Sequence, residues 1–94
     1  MFIVSLSYIK PLAEVEACLD AHRQFLDACY SQGHFIASGP KEPRTGGVIL
    51  AKGMTRIELE SLIKEDPFHR AGVAHYEITE FTPMKHAQGF ERYI

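Results

Sequence analysis

The sequence predicts a small α+β domain with the element order β-α-β-β-α-β. Three observations carry this reading. Period-2 apolar alternation stands at both ends of the main body, two stretches of helical apolar spacing lie between, and glycine or proline marks the junctions.

Residues 2–9 alternate Phe2, Val4, Leu6 and Tyr8 with Ile3, Ser5, Ser7 and Ile9, so one strand face is fully apolar and the other mixed. Lys10-Pro11 ends it. From Leu12 to Gln32 the apolar residues Val15, Cys18, Leu19, Phe25, Leu26 and Cys29 form a helical stripe, which Gly33 closes. His34 to Ala37 reads as a short strand ended by Ser38-Gly39-Pro40, and Lys41 to Gly47 as a loop. Val48 to Ala51 is almost wholly apolar, as a central strand should be. Thr55 with Glu58 is a capping-box pair opening a second helix, with Ile57, Leu59, Leu62 and Ile63 on its buried side. Asp66-Pro67 stops that helix and suits a new short turn through Arg70, with Asp66 as N-cap. Val73 to Phe81 alternates as a last strand. The tail, Pro83 to Ile94, holds Phe90 and Tyr93 and is expected to dock on the domain or on a partner.

A chain of 94 residues fits one domain, spanning residues 1–94. Its 46% hydrophobic content excludes disorder, and its core is small enough to gain from a second copy. A net charge of −2 without a basic stripe argues against nucleic acid. No apolar run approaches the ~20 residues of a membrane span, and Met1-Phe2-Ile3-Val4 does not open a signal peptide, so cytoplasm is the expected compartment. Cys18 and Cys29 sit eleven positions apart on one predicted helix, about 16 Å of rise, and are expected to be free thiols. No glycine-rich phosphate loop, nucleophile elbow or metal-ligand spacing occurs, so no cofactor and no metal are expected.

The element order suggests a ferredoxin-like sandwich. Tracing strand directions gathers Ser7 and Tyr8, the Ser38-Gly39-Pro40 turn, the Lys41–Arg44 loop and Asp66 at one end. Polar groups distant in sequence converge there, as a site requires. His22 is the sharpest anomaly, because it lies on the apolar stripe between Leu19 and Phe25. A buried histidine beside a carboxylate can titrate near neutrality, and Asp66 is the carboxylate to pair with it. Lying about 15 Å along the helix at ~1.5 Å per residue, His22 needs a bend or a water to reach that carboxylate. Simpler readings stand beside these: His22 as a satisfied core residue, Asp66 as a cap, Ser38 as a turn residue and Arg44 as a solvated charge.

The assembly His22-x-x-Phe25-Leu26, Gly33 to Pro40, and Asp66-Pro67-Phe68 with Ala71-Gly72-Val73 resembles the YCII-related family of small bacterial proteins. The likeness runs from the first strand to Phe81-Thr82-Pro83, and Lys85 to Ile94 extends beyond it. It implies a dimeric α+β barrel, in which two ferredoxin-like sheets close face to face. Many relatives in that superfamily bind or transform small aromatic or lactone compounds without a cofactor; most members of the family have no assigned reaction, and a dehydrochlorinase of chlorinated aromatics is one that does. A first-helix histidine and the aspartate of the D-P motif are viewed there as a catalytic pair, which carries over to His22 and Asp66. Ser38 and Gly39 would line the pocket.

Two functions follow. One is a cofactor-independent lyase or isomerase acting on a small molecule, with His22 and Asp66 as the catalytic pair and Ser38, Gly39, Arg44 and Tyr8 binding substrate. The other is a non-catalytic homodimeric module that binds a metabolite or a protein.

Overall fold

Four strands form one sheet: β1 (Phe2–Tyr8), β2 (Phe35–Pro40), β3 (Gly46–Ala51) and β4 (Ala74–Glu80), in the order β2-β3-β1-β4 and antiparallel throughout. The computed structural model describes residues 1–94. Phe2, Val4 and Leu6 turn to one face and are buried. In register with them, Ile49 and Ala51 come from β3, and Tyr76 and Ile78 from β4. The opposite face keeps Ile3 and Val48 partly exposed, at 37% and 39%.

The buried face is covered by α1 (Leu12–Ala17), α2 (Leu19–Ser31), α3 (Arg56–Ile63) and α4 (Pro67–Arg70). Val15, Cys29, Leu59, Ile63 and Phe68 bring the helices onto the sheet. The expected α+β class and β-α-β-β-α-β order hold. The capping box at Thr55 and Glu58 is present with both of its bonds. Asp66 caps α4 by accepting from the Phe68 N–H, with Pro67 at the first helical position. No helix is long and apolar enough to cross a membrane.

Four local expectations are corrected. The helix expected from Leu12 to Gln32 is two helices joined at Cys18, whose φ of −100° and ψ of −2° stand at the edge of the right-handed α region. There the Cys18 N–H bonds back three residues to Val15, and the His22 N–H resumes four-residue bonding to Cys18. No proline or glycine causes this break; one tightened turn does. His22 therefore lies within the first turn or so of α2 instead of deep along an unbroken helix.

Strand β2 runs on through Ser38-Gly39-Pro40, where a turn was expected, because these residues pair with Ile49, Val48 and Gly47. Strand β3 likewise takes in Gly46 and Gly47 from the expected loop. A Cβ on Gly46 would stand 1.8 Å from the Leu6 carbonyl oxygen, so only glycine lets β3 lie this close to β1. Ile57, expected on the buried side of α3, is 76% exposed. It lies two residues from Leu59, which turns it about 200° away from that buried position.

The tail ends in a 3-10 turn, Phe90–Tyr93, none of whose residues is buried. Phe90 packs against His86 and Tyr93 within the tail itself.

Gly46→Ala should force β3 off β1, with a loss of roughly 1–3 kcal/mol or more. Urea unfolding checks this, and a change within a few tenths of a kcal/mol would contradict the close strand approach.

Candidate functional site

Asp66 is completely buried, and three donors from three segments converge on its carboxylate. His22 Nδ1 lies 2.7 Å from Oδ1. The Phe68 N–H donates to the same oxygen at 3.0 Å, and the Tyr76 hydroxyl donates to Oδ2 at 2.6 Å. With Phe68 and Tyr76 both donating, the carboxylate is an acceptor and Nδ1 carries the proton. The imidazole is then fixed as a tautomer, with Nε2 turned away from Asp66. Phe68 stacks flat on the His22 ring, with centroids 3.8 Å apart and 4° between planes.

The distance expected to need a bend or a water is spanned directly. Helix α4 packs on α2 and places its N-cap beside His22, while the break at Cys18 starts α2 nearby.

His22 is 8% exposed, and what remains open lies in a cavity of about 390 Å³ between α2 and the β2–β3 edge. Such a volume sits in the lower range of small-molecule pockets. Leu19, His22 and Leu26 line it from the inward side of α2, and Arg23 borders it from the exposed flank of the same helix. Gly47 is opposite Leu6 in the sheet register and therefore faces the helices, with no side chain to fill the space. The cavity explains why Leu19 and Leu26 are only half-buried.

Tyr8, Ser38, Gly39 and Arg44 line the same cavity as His22. Asp66 does not; it stands behind the ring. The Ser38 hydroxyl is shared with Tyr30 at 2.7 Å, and Arg44 donates to Glu16 at 3.3 Å. Tyr8 meets Phe68 edge-on, at 6.1 Å between centroids. No group of three or more His, Cys, Asp or Glu side chains is placed to hold a metal ion.

Three contributors escaped the sequence reading: Tyr76, Phe68 and Arg23. Tyr76 had a usable signal. It shares the inward face of β4 with Ala74 and Ile78, and a buried tyrosine usually seeks a partner for its hydroxyl. Phe68 sits in the D-P-F motif, but stacking cannot be read from one sequence.

Burial raises the Tyr76 phenol far above its ordinary range, and the Asp66 charge beside it adds to the shift. Tyr76 therefore stays a donor at any working pH. Cys29, buried near Asp66 and Glu65, is pushed up to about 11, chiefly by burial. Both cysteines are free thiols.

The YCII-related domain family matches residues 1–82. No curated protein matches the chain. Among solved structures, 5-chloro-2-hydroxyhydroquinone dehydrochlorinase from Burkholderia phenoliruptrix, in complex with 2,5-dihydroxybenzoquinone, superposes with a TM-score of 0.67 at 18% identity, over 87% of this chain and 94% of its own. The fold is shared with that enzyme.

Two outcomes follow from the carboxylate and its surroundings. Tyr76→Phe should cost roughly 1–3 kcal/mol by leaving Oδ2 buried without a donor. Asp66→Ala should cost roughly 3–5 kcal/mol, because it orphans three donors. Chemical denaturation orders the two, and the reverse order would contradict this network. For Cys29 the folded thiol is raised above its ordinary value of 9.0. Its contribution to stability is thus complete below about 9 and is lost as pH rises towards about 11. Cys29→Ala should flatten the stability curve across that window, and an unchanged alkaline slope would contradict the assignment.

Proposed function

This chain belongs to the YCII-related domain family, and from that premise we propose a small-molecule enzyme of lyase or isomerase type that needs no cofactor. The observation that carries this reading is the short His22–Asp66 contact beside an open cavity. His22 Nε2 takes a proton from an acidic C–H of the substrate. The C–H electron pair moves into an adjacent carbonyl to give an enolate, or onward to expel a leaving group. The imidazolium then returns its proton to a second carbon, which is isomerisation, or to the departing group, which is elimination. Proton transfer by a positioned group of this kind is worth roughly 10²–10⁴-fold in rate.

Asp66 is a positioning residue in this scheme. It holds the tautomer before transfer and balances the imidazolium after it, without touching substrate. Tyr8 and Ser38 supply hydroxyls to substrate oxygens, Gly39 gives close backbone approach, and Arg44 meets an anionic group. The dehydrochlorinase that shares this fold supports the elimination variant, since its name denotes loss of hydrogen chloride.

Residues 1–94 are read as one domain with an appended tail after the family match ends at residue 82. A second copy of the chain would cover the helix-free sheet face, where Ile3 and Val48 otherwise stay wet. Static light scattering at micromolar concentration should give twice the chain mass, and a monomer would remove this part.

The second reading, a binding module without turnover, is favoured by one observation. Phe68 stacks so closely on His22 that the ring already has a structural role. Deuterium uptake from heavy water into small enolisable ketones and hydroxyaromatics separates the two. The enzyme reading expects catalysed exchange that falls roughly 10²–10⁴-fold in His22→Ala while the fold persists. Exchange unchanged in that variant, or absent from every compound tried, leaves only the module.

A further inference from the structure

Arg23 stands at the open rim of the cavity, with its side chain 65% exposed. It follows His22 on α2, four residues beyond Leu19, and lines the cavity with them. Arg44 reaches the same cavity from the loop joining β2 to β3. No aspartate or glutamate lines it, although the chain as a whole carries more acidic than basic residues, 12 against 10. Each guanidinium leans on a carboxylate outside the cavity. Arg44 donates to Glu16 at 3.3 Å, and Arg23 lies 3.9 Å from Asp20. A guanidinium has five N–H donors, so one such contact leaves donors for a ligand.

We propose that Arg23 and Arg44 together form an anion clamp, which selects single-ring acids carrying a carboxylate or an equivalent oxyanion. This rests on reading the cavity as a small-molecule site, and it names the class that site takes. The chemistry of the lining supports both halves. Leu6, Leu19, Leu26 and Phe68 offer an apolar bed for a ring, and two cations without a lining counter-charge favour an anionic substituent. The size agrees. A cavity of ~150 Å³ already admits benzene, so about 390 Å³ leaves room for a substituted ring. Arg23 and Arg44 come from elements far apart in sequence, so both engage only a ligand that sits in the cavity between them. A ring so held lies within the same lined space as His22.

Salicylate and salicylamide test the clamp, because they share ring, hydroxyl and shape and differ in charge. Binding is followed by heteronuclear NMR titration of the full chain. Salicylate should bind about tenfold more tightly than salicylamide, with shifts at Leu19, His22 and Gly47, and its affinity should fall with added salt while that of the amide does not. Arg23→Gln and Arg44→Gln should each narrow the preference, and the double variant should abolish it while its spectrum remains that of the folded protein. Equal affinity for the two compounds, no salicylate binding at millimolar concentration, or a preference that survives the double variant would each overturn the proposal. His22→Ala separates this from the catalytic reading. It should keep the salicylate preference while losing proton exchange, so either idea can fail with the other intact.

Discussion

The burial of one carboxylate constrains everything else about this site. A charge taken out of water must be compensated by donors, and Asp66 receives three, from α2, from its own helix α4 and from β4. Between α2 and the other two segments, apolar packing tolerates sliding. Directional bonds to one small group do not. The result is a fixed crossing of α2, α4 and β4, and within it an imidazole whose orientation is determined from two sides. Asp66 holds its edge, and Phe68 holds its face.

The cavity beside that ring has its own cause in the sequence. Gly46 allows β3 to approach β1, and Gly47 presents no side chain towards the helices. Leu19 and Leu26 then have nothing across from them to close upon. In a domain this small, unfilled space next to half-buried leucines is a stability cost that better packing would remove. Function is the natural reason for keeping it. The cavity breaks the local rule of an apolar, filled interior, and it does so beside His22. Agreement across levels elsewhere in the chain makes that departure informative.

Much of this was legible in the residues. Alternation in Phe2 to Tyr8, the Thr55 and Glu58 cap, and the Asp66-Pro67 start each rest on local chemistry, and local chemistry survives folding intact. Convergence of Tyr8, Ser38, Gly39 and Arg44 at one end followed from strand directions alone. The break at Cys18 did not, because no residue there forbids a helix; the tightened turn belongs to the packed structure. Extension of β2 through Ser38-Gly39-Pro40 was hidden for the opposite reason. Residues that normally announce a turn are accommodated in an edge strand, where proline lacks no needed partner. Arg23 reads as an ordinary surface charge until the cavity it lines is visible.

The two oxygens of Asp66 also separate what orientation supplies from what charge supplies. Oδ1 accepts from both His22 and the Phe68 N–H, while Oδ2 meets only the Tyr76 hydroxyl. An asparagine could place its oxygen at Oδ1 and its amide N–H₂ against the Tyr76 oxygen, which is able to accept. The reverse placement would set two donors face to face at Phe68. Asparagine would thus keep the imidazole tautomer and position, and remove only the negative charge. A histidine that merely fills space or donates one bond needs nothing more than that orientation. A histidine that must take up a proton needs the charge as well, since a buried imidazolium without a counter-ion is strongly disfavoured. The negative charge at position 66 is therefore more than the imidazole's orientation requires, which supports the proposed proton transfer.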